Sequence, residues 1–238
     1  MAYCKHYNAD FFDMSSADLP KFNFVLADPP MDISASDISI QGRSDIVLDF
    51  GDWDHISNYT QFVTNWLIHL NSFMQEDSVV FVWWMNWQSL TTHIQVMEKL
   101  GYVLQTIHTW HKTNPAPKFR KTTPVSSCEW LLHFVRGSAK LNWLGQNEMH
   151  NFIQSPICMG NERIRHIATR KAISKTQKPV KVLSKYIRMY ADFIDVAFDP
   201  FAGVFSTGVA ALQEGASSVM IERDKQVYNY GVSRLAQI

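Results

Sequence analysis

Val196-Ala197-Phe198-Asp199-Pro200-Phe201-Ala202-Gly203 is the stretch on which the fold turns. An uncharged apolar run ends on a carboxylate, a proline follows, and a turn of small residues comes next. The same arrangement occurs far upstream, in Val25-Leu26-Ala27-Asp28-Pro29-Pro30-Met31. Short apolar runs bounded by turn residues are the mark of buried strands. Proline then ends the strand, because it has no N–H to give a ladder. Asp-Pro is also ordinary turn chemistry, so either copy alone says little. A third acid, Glu222 in Met220-Ile221-Glu222-Arg223-Asp224, closes the next apolar run. Ligands of open α/β sheets bind outside the carboxyl ends of strands, where the strand order reverses. Three carboxylates at such ends therefore outline a binding cleft. An acid in the position of Glu222 accepts hydrogen bonds from ribose hydroxyls, a device that nicotinamide enzymes share. It does not identify the cofactor by itself.

Working outward, the chain alternates strand-like and helical patterns. Strands are expected at 22–27, 78–84, 102–110, 129–135, 193–198 and 218–221. Phe62, Val63, Trp66, Leu67 and Leu70 fall on one face of a helix over 59–73, and a second helix over 89–100 stops at Gly101. Val180, Leu183, Ile187 and Tyr190 repeat at helical spacing after Pro179, and further helices follow from Ser206 and Lys225. Strand–helix–strand units in succession imply a largely parallel sheet with helices on both faces. Pro115, Pro117 and Pro124 mark a projecting loop. Residues 137–176 are polar, basic and without clear period. They are the expected site of a small target-recognition region, set between 1–136 and 177–238 as the two halves of one domain.

The 238 residues are 46% hydrophobic, with eight Trp, fifteen Phe and eight Tyr, enough for a sizeable core. No apolar run is long enough to cross a membrane, and no signal-like segment opens the sequence, so an intracellular protein, cytoplasmic or associated with the nucleoid, is expected. Cys4, Cys128 and Cys158 are too scattered for a disulfide scaffold or a zinc knuckle. His108 and His111 lack a nearby cysteine or acid to complete a metal set, so no metal is expected. Zero net charge hides an asymmetry: Lys112 to Arg188 holds fifteen Lys or Arg against three Glu and no Asp. A basic section of that kind attracts a polyanion. Lys112, Lys118, Arg120, Lys121, Arg163, Arg165, Arg170 and Lys171 are the candidate phosphate contacts. Trp83, Trp84 and Trp87 are read as core and helix packing, and Trp110 as a better candidate for the cleft.

Asp28-Pro29-Pro30-Met31 resembles the catalytic Asp-Pro-Pro-Tyr of amino-group DNA methyltransferases. Asp199-Pro200-Phe201-Ala202-Gly203 resembles their cofactor loop, usually Asp-Pro-Phe-x-Gly-Ser-Gly-Thr-Thr. The catalytic motif comes first, as in the circularly permuted beta class. Tyr7-Asn8-Ala9-Asp10-Phe11, Trp110-x-Lys112-x-Asn114-Pro115-x-Pro117 and Gln177-Lys178-Pro179 are similar to that class as well. The resemblance implies a Rossmann-like α/β methyltransferase fold: a mostly parallel seven-stranded sheet with one reversed strand. It implies S-adenosylmethionine as cofactor and N6 of adenine in DNA as target, with cytosine N4 and RNA adenine as alternatives. DNA is the implied partner, and a second copy or related subunit would complete the grip on it. By the same resemblance, Asp199 and Phe201, Ala202 and Gly203 lie beneath the methionine part of the cofactor. Glu222 holds its ribose, Asp10 its adenine amino group, Phe11 flanks the ring, and Lys178 sits near the methionine end. Asp28 and the Pro29 carbonyl grip the acceptor nitrogen, with Pro30 stiffening the loop.

Two positions depart from the family pattern. Met31 replaces the tyrosine that stacks on an extruded base, which implies a looser grip. Gly203-Val204-Phe205-Ser206-Thr207 lacks the second glycine, so the Phe205 ring either turns into the core or crowds the cofactor. Ser206 and Thr207 are expected to cap the next helix as well as border the cofactor. A noncatalytic nucleic-acid-binding subunit is the competing function, told apart by loss of cofactor binding. A dehydrogenase would need a glycine-rich nucleotide loop that Gly203 alone does not supply. The segment between Asp32 and Asp54 is read as either a mobile cover or an ordered surface loop.

Overall fold

The computed structural model describes residues 2–32, 54–117 and 124–238. The expected cover between Asp32 and Asp54, and the candidate phosphate contacts Lys118, Arg120 and Lys121, lie outside the described residues.

The strands are β1 (Cys4–Asn8), β2 (Phe22–Ala27), β3 (Met74–Trp84), β4 (Val103–Lys112), β5 (Cys128–Arg136), β6 (Phe152–Ser155), β7 (Ala197–Asp199) and β8 (Ser218–Glu222). They form one eight-stranded sheet in the order β1-β8-β7-β2-β3-β5-β4-β6. The expected seven is corrected to eight. The strands without a sequence signal are β1 and β6, the two edges of the sheet, which bury few side chains. β5 runs antiparallel to both β3 and β4, while the other neighbouring pairs are parallel.

The helices are α1 (Tyr59–Asn71), α2 (Leu90–Lys99), α3 (Val180–Arg188), α4 (Ser206–Gln213) and α5 (Lys225–Leu235). Side chains alternate across β2: Val25 and Ala27 join α1 and α2 in one core, while Phe24 and Leu26 join α3 and α4 in the other. Covering both faces explains why β2 reads as an unbroken apolar run. The expected strand over 193–198 is shorter than its apolar run. Phe193 and Ile194 donate their N–H groups to Tyr190 and close the turn after α3, so β7 starts at Ala197.

From β2 the chain crosses through α1 to β3 on one side. From β7 it crosses through α4 to β8 on the other. β2 and β7 are adjacent and parallel, so the strand order reverses between them and their carboxyl ends open a crevice there.

Candidate active site at the β2–β7 switch point

A cleft of about 690 Å³ occupies that crevice. Asp28, Asp199 and Glu222 all line it, as do Asp10, Phe11, Lys178, Phe201, Ala202, Gly203, Ser206 and Thr207. Met31 is not among its lining residues: it is 6% exposed and packs in the core shared with Phe24, Leu26 and Trp83. Ala172 to Thr176 also border the cleft, so the end of the irregular 137–176 stretch belongs to its wall.

Asp199 is built into the floor. Its Oδ1 accepts the Phe201 N–H (3.0 Å) and its Oδ2 the Thr207 hydroxyl (2.6 Å). Burial pushes its carboxyl up to about 7 despite these two bonds, and the charges of Asp28 and Glu222 add to the rise. A buried carboxylate without a facing cation is costly, so this floor favours a positively charged ligand. Glu222 accepts the N–H groups of Gly203 at Oε2 (2.9 Å) and Asp224 at Oε1 (2.7 Å). Each carboxylate oxygen keeps a further lone pair for a hydroxyl. Asp10 caps a short 3₁₀ turn through the Phe12 N–H and pairs with Arg223 at 3.2 Å. Phe11 is buried and stands edge-on to Phe201, making an aromatic side wall.

The Phe205 ring turns away from the cleft. It is 0% exposed and lies with Ala202 and Met220 beneath Tyr228, Val232 and Leu235. Its backbone holds φ 61° and ψ 36°, the left-handed region that glycine enters freely and other residues enter at a cost. Gly231 makes the room: a β-carbon there would sit 2.7 Å from Phe205 Cγ. Glycine inside α5 weakens the helix by about 1 kcal/mol relative to alanine, so the ring and the missing side chain are matched. The expected capping by Ser206 and Thr207 is corrected. Phe205 occupies the cap position without a side-chain bond, Thr207 donates to Asp199, and Ser206 accepts from Arg234 (2.9 Å).

On the acceptor side, Asp28 ends a chain of charges that the sequence conceals. Lys178 Nζ lies 2.7 Å from Asp28 Oδ2 and 3.2 Å from Glu129, and Lys112 lies 2.7 Å from Glu129. Burial raises the Asp28 carboxyl above its usual value, and Lys178 offsets part of that rise. Burial disfavours the Lys178 ammonium, but Asp28 and Glu129 outweigh it and raise its pKa. The same balance, with Lys178 and Lys112 winning, keeps Glu129 below the usual range. Trp83 lies under Lys178, with Nζ 5.1 Å from its ring. Lys112, a candidate phosphate contact, is thus engaged with Glu129. Glu129 escaped notice because it is a lone acid in a strand whose partners are distant in sequence.

The loop after Asp28 is pinned at successive atoms. Asp54 Oδ1 accepts the N–H groups of Met31 (2.9 Å) and Asp32 (2.8 Å). Asn86 Nδ2 donates to the Met31 carbonyl (3.1 Å), and the Tyr59 hydroxyl to the Pro30 carbonyl (3.0 Å). Burial pushes the Tyr59 phenol up, so it remains a donor at neutral pH.

Of the remaining candidates, Arg165, Arg170 and Lys171 are exposed on a turn closed by the Arg165–Ala172 bridge, and Arg163 is half-buried with a bond to the Cys158 carbonyl. Trp83, Trp84 and Trp110 are buried as core residues; Trp110, the candidate for the cleft, is not among its lining residues. Trp87 departs from the packing expectation at 62% exposed. His108 bonds His133, while His111 meets Gln154. Among the described residues no group of three or more His, Cys, Asp or Glu is arranged to hold a metal, and no helix is long and apolar enough to cross a membrane.

The sequence matches the pattern described as DNA methylase, of the N6/N4 type, over residues 22–233. The chain belongs to the DNA methylase family. These are amino-methyltransferases of the N6-adenine and N4-cytosine class that depend on S-adenosylmethionine. The chain is 27% identical over 91% of its length to the type II methyltransferase M.HinfI of Haemophilus influenzae, and spans 63% of that protein. It is 25% identical over 96% of its length to M2.DpnII of Streptococcus pneumoniae, spanning 88% of it. Its fold is similar to that of M1.HpyAVI in complex with SAM, with a TM-score of 0.71, 20% identity, and coverage of 97% of this chain and 99% of that one. It is also similar to the cytosine-N4-specific PvuII DNA methyltransferase, with a TM-score of 0.74, 14% identity, and coverage of 98% and 86%.

Proposed function

We propose that this DNA methylase transfers a methyl group from S-adenosylmethionine to the exocyclic N6 of adenine in DNA. One observation carries the proposal: Asp28 and Asp199, at the carboxyl ends of adjacent parallel strands, line the same cleft.

The cleft suits the cofactor by its chemistry. Asp199 is a buried acid that gains from a cation, Glu222 and Asp10 offer acceptors for hydroxyl and amino groups, and Phe11 and Phe201 give an apolar wall. Asp199 with Phe201, Ala202 and Gly203 would hold the methionine end, Glu222 the ribose, and Asp10 and Phe11 the adenine. Phe205 leaves that space clear. When bound, the cofactor supplies an activated methyl on a sulfonium centre. Every other task falls to the protein.

A base amino nitrogen is a poor nucleophile, because its lone pair is delocalised into the ring. Two acceptors on its hydrogens favour a tetrahedral nitrogen with the lone pair free. Asp28 offers one, and the Pro29 carbonyl the other. Pro30 cannot donate an N–H, and the bonds from Tyr59, Asn86 and Asp54 restrain the loop downstream. Lys178 holds Asp28 Oδ2, so Oδ1 would be the oxygen offered to the nitrogen. Preorganised acceptors of this kind work by fixed geometry, without reorganisation during the reaction. The target nitrogen is buried in a duplex, so the nucleotide must be extruded or already unpaired. Arg163, Arg165, Arg170 and Lys171 would position the phosphates, and the 137–176 stretch would contribute target recognition. A second copy of the chain would complete the grip on a duplex.

Incubating the protein with methyl-labelled cofactor and DNA, then digesting to nucleosides, tests the proposal. Label is expected on N6-methyladenine. Label on N4-methylcytosine would replace adenine with cytosine. Absence of both transfer and cofactor binding would favour a noncatalytic DNA-binding subunit.

A further inference from the structure

Trp87 is an exposed aromatic in a rigid setting. It opens the short 3₁₀ turn Trp87–Ser89 between β3 and α2. Its ring stands edge-on to Trp84, with centroids 4.6 Å apart, and to Trp130, 4.7 Å apart. Trp84 is buried, and its indole N–H fixes the turn through the Asn86 carbonyl at 2.7 Å. The Asn86 side chain accepts the Gln88 N–H at 3.1 Å. The turn is therefore held from below, while 62% of Trp87 faces solvent.

Its position follows from the sheet. β2 and β3 are parallel neighbours, so both carboxyl ends open at the same rim. Asn86, the residue before Trp87, donates to the carbonyl of Met31 in the Asp28–Met31 loop. The platform thus stands beside the loop proposed to grip the acceptor nitrogen. A fixed indole with an open surface at the rim beside that loop suits an unstacked base, because every base offers a π-face. We infer that Trp87 is a stacking site for an unpaired nucleobase adjacent to the acceptor nucleotide. This rests on the proposed function and adds a recognition residue to it.

Tyr3 supplies the control. It is 50% exposed, and its carbonyl accepts the Ser218 N–H at 2.8 Å, at the amino end of β8 and so at the rim opposite the cleft. The test measures binding of a labelled mixed-sequence single-stranded DNA of about 20 nucleotides across a salt series, a length that covers a typical single-strand site. Trp87→Ala should weaken binding by about tenfold, as loss of a stacked base does. Trp87→Phe should stay within about threefold of the wild type, because a π-face remains. The slope against salt should be unchanged, since no phosphate contact is removed. Tyr3→Ala should match the wild type. Binding by Trp87→Ala within about twofold of the wild type would overturn the inference while leaving the proposed function standing. A flattened salt slope, or equal weakening by Tyr3→Ala, would also overturn it. Wild-type protein that bound no DNA would overturn both.

Discussion

The loops on the two sides of the cleft solve the same problem by different means. Each carries a residue foreign to the family pattern, Phe205 on the donor side and Met31 on the acceptor side, and each buries it. The donor loop adds packing to the bonds that its Phe201 and Gly203 N–H groups make. Phe205 keeps a left-handed backbone and inserts its ring over Gly231, a partner 26 positions away in sequence. The acceptor loop is held by polar bonds, from Asp54, Asn86 and Tyr59, with Lys178 clamping the carboxylate. A packed loop tolerates a new side chain when a matching cavity exists. A loop held through its backbone depends first on its donors and acceptors.

Disturbing the charges should give the largest effect on stability. Lys178→Ala leaves buried Asp28 without its cation and Glu129 with Lys112 alone, and should destabilise the fold by about 3–5 kcal/mol in urea titration. A loss under 1 kcal/mol would mean that solvent already screens the chain of charges. On the donor side, Gly231→Ala drives a β-carbon into the Phe205 ring and should cost about 1–3 kcal/mol. Combining it with Phe205→Gly should cost less than the sum of the two single changes, by at least about 0.5 kcal/mol. Strict additivity would show that ring and glycine are not matched. Asp54→Ala leaves the N–H groups of Met31 and Asp32 without their acceptor and should cost about 1–3 kcal/mol. It should also slow transfer more than it weakens cofactor binding. Equal effects on both would place Asp54 in the scaffold alone.

The smallest effect is on protons. The Asp199 carboxyl is raised to about 7 by burial, from an ordinary value near that of an exposed aspartate. The folded ligand-free protein therefore holds a proton that the unfolded chain has released. Its contribution to stability is greatest in acid and is lost as pH rises towards 7. A cationic ligand favours the ionised form, so cofactor binding just below neutral pH should release a proton. Calorimetry in buffers of different ionisation heat would detect it, and Asp199→Asn should abolish the buffer dependence. A buffer dependence that survives Asp199→Asn would assign the proton elsewhere.

The parts of the cleft made by strand ends were legible in the sequence. Asp28, Asp199 and Glu222 each close an apolar run, and a doubly covered sheet makes such runs conspicuous. The parts made by tertiary contact were not. Glu129 gives no local signal, since Lys112 and Lys178 reach it from opposite sides in sequence. Gly231 looks like a flaw in α5 until Phe205 is placed above it. Trp87 sits in a cluster of tryptophans that reads as core, and its exposure follows from the turn held by Trp84 and Asn86. β1 and β6 are edge strands that bury few side chains, so neither shows as an apolar run.

Division of labour between the two carboxylates is the central claim, and one comparison tests it most directly: single-turnover methyl transfer and cofactor affinity, both measured on Asp28→Ala. The account predicts a fall in rate of about 100-fold or more, with affinity for S-adenosylmethionine within about threefold of the wild type. A rate within about tenfold of the wild type, or a loss of affinity as large as the loss of rate, would contradict it.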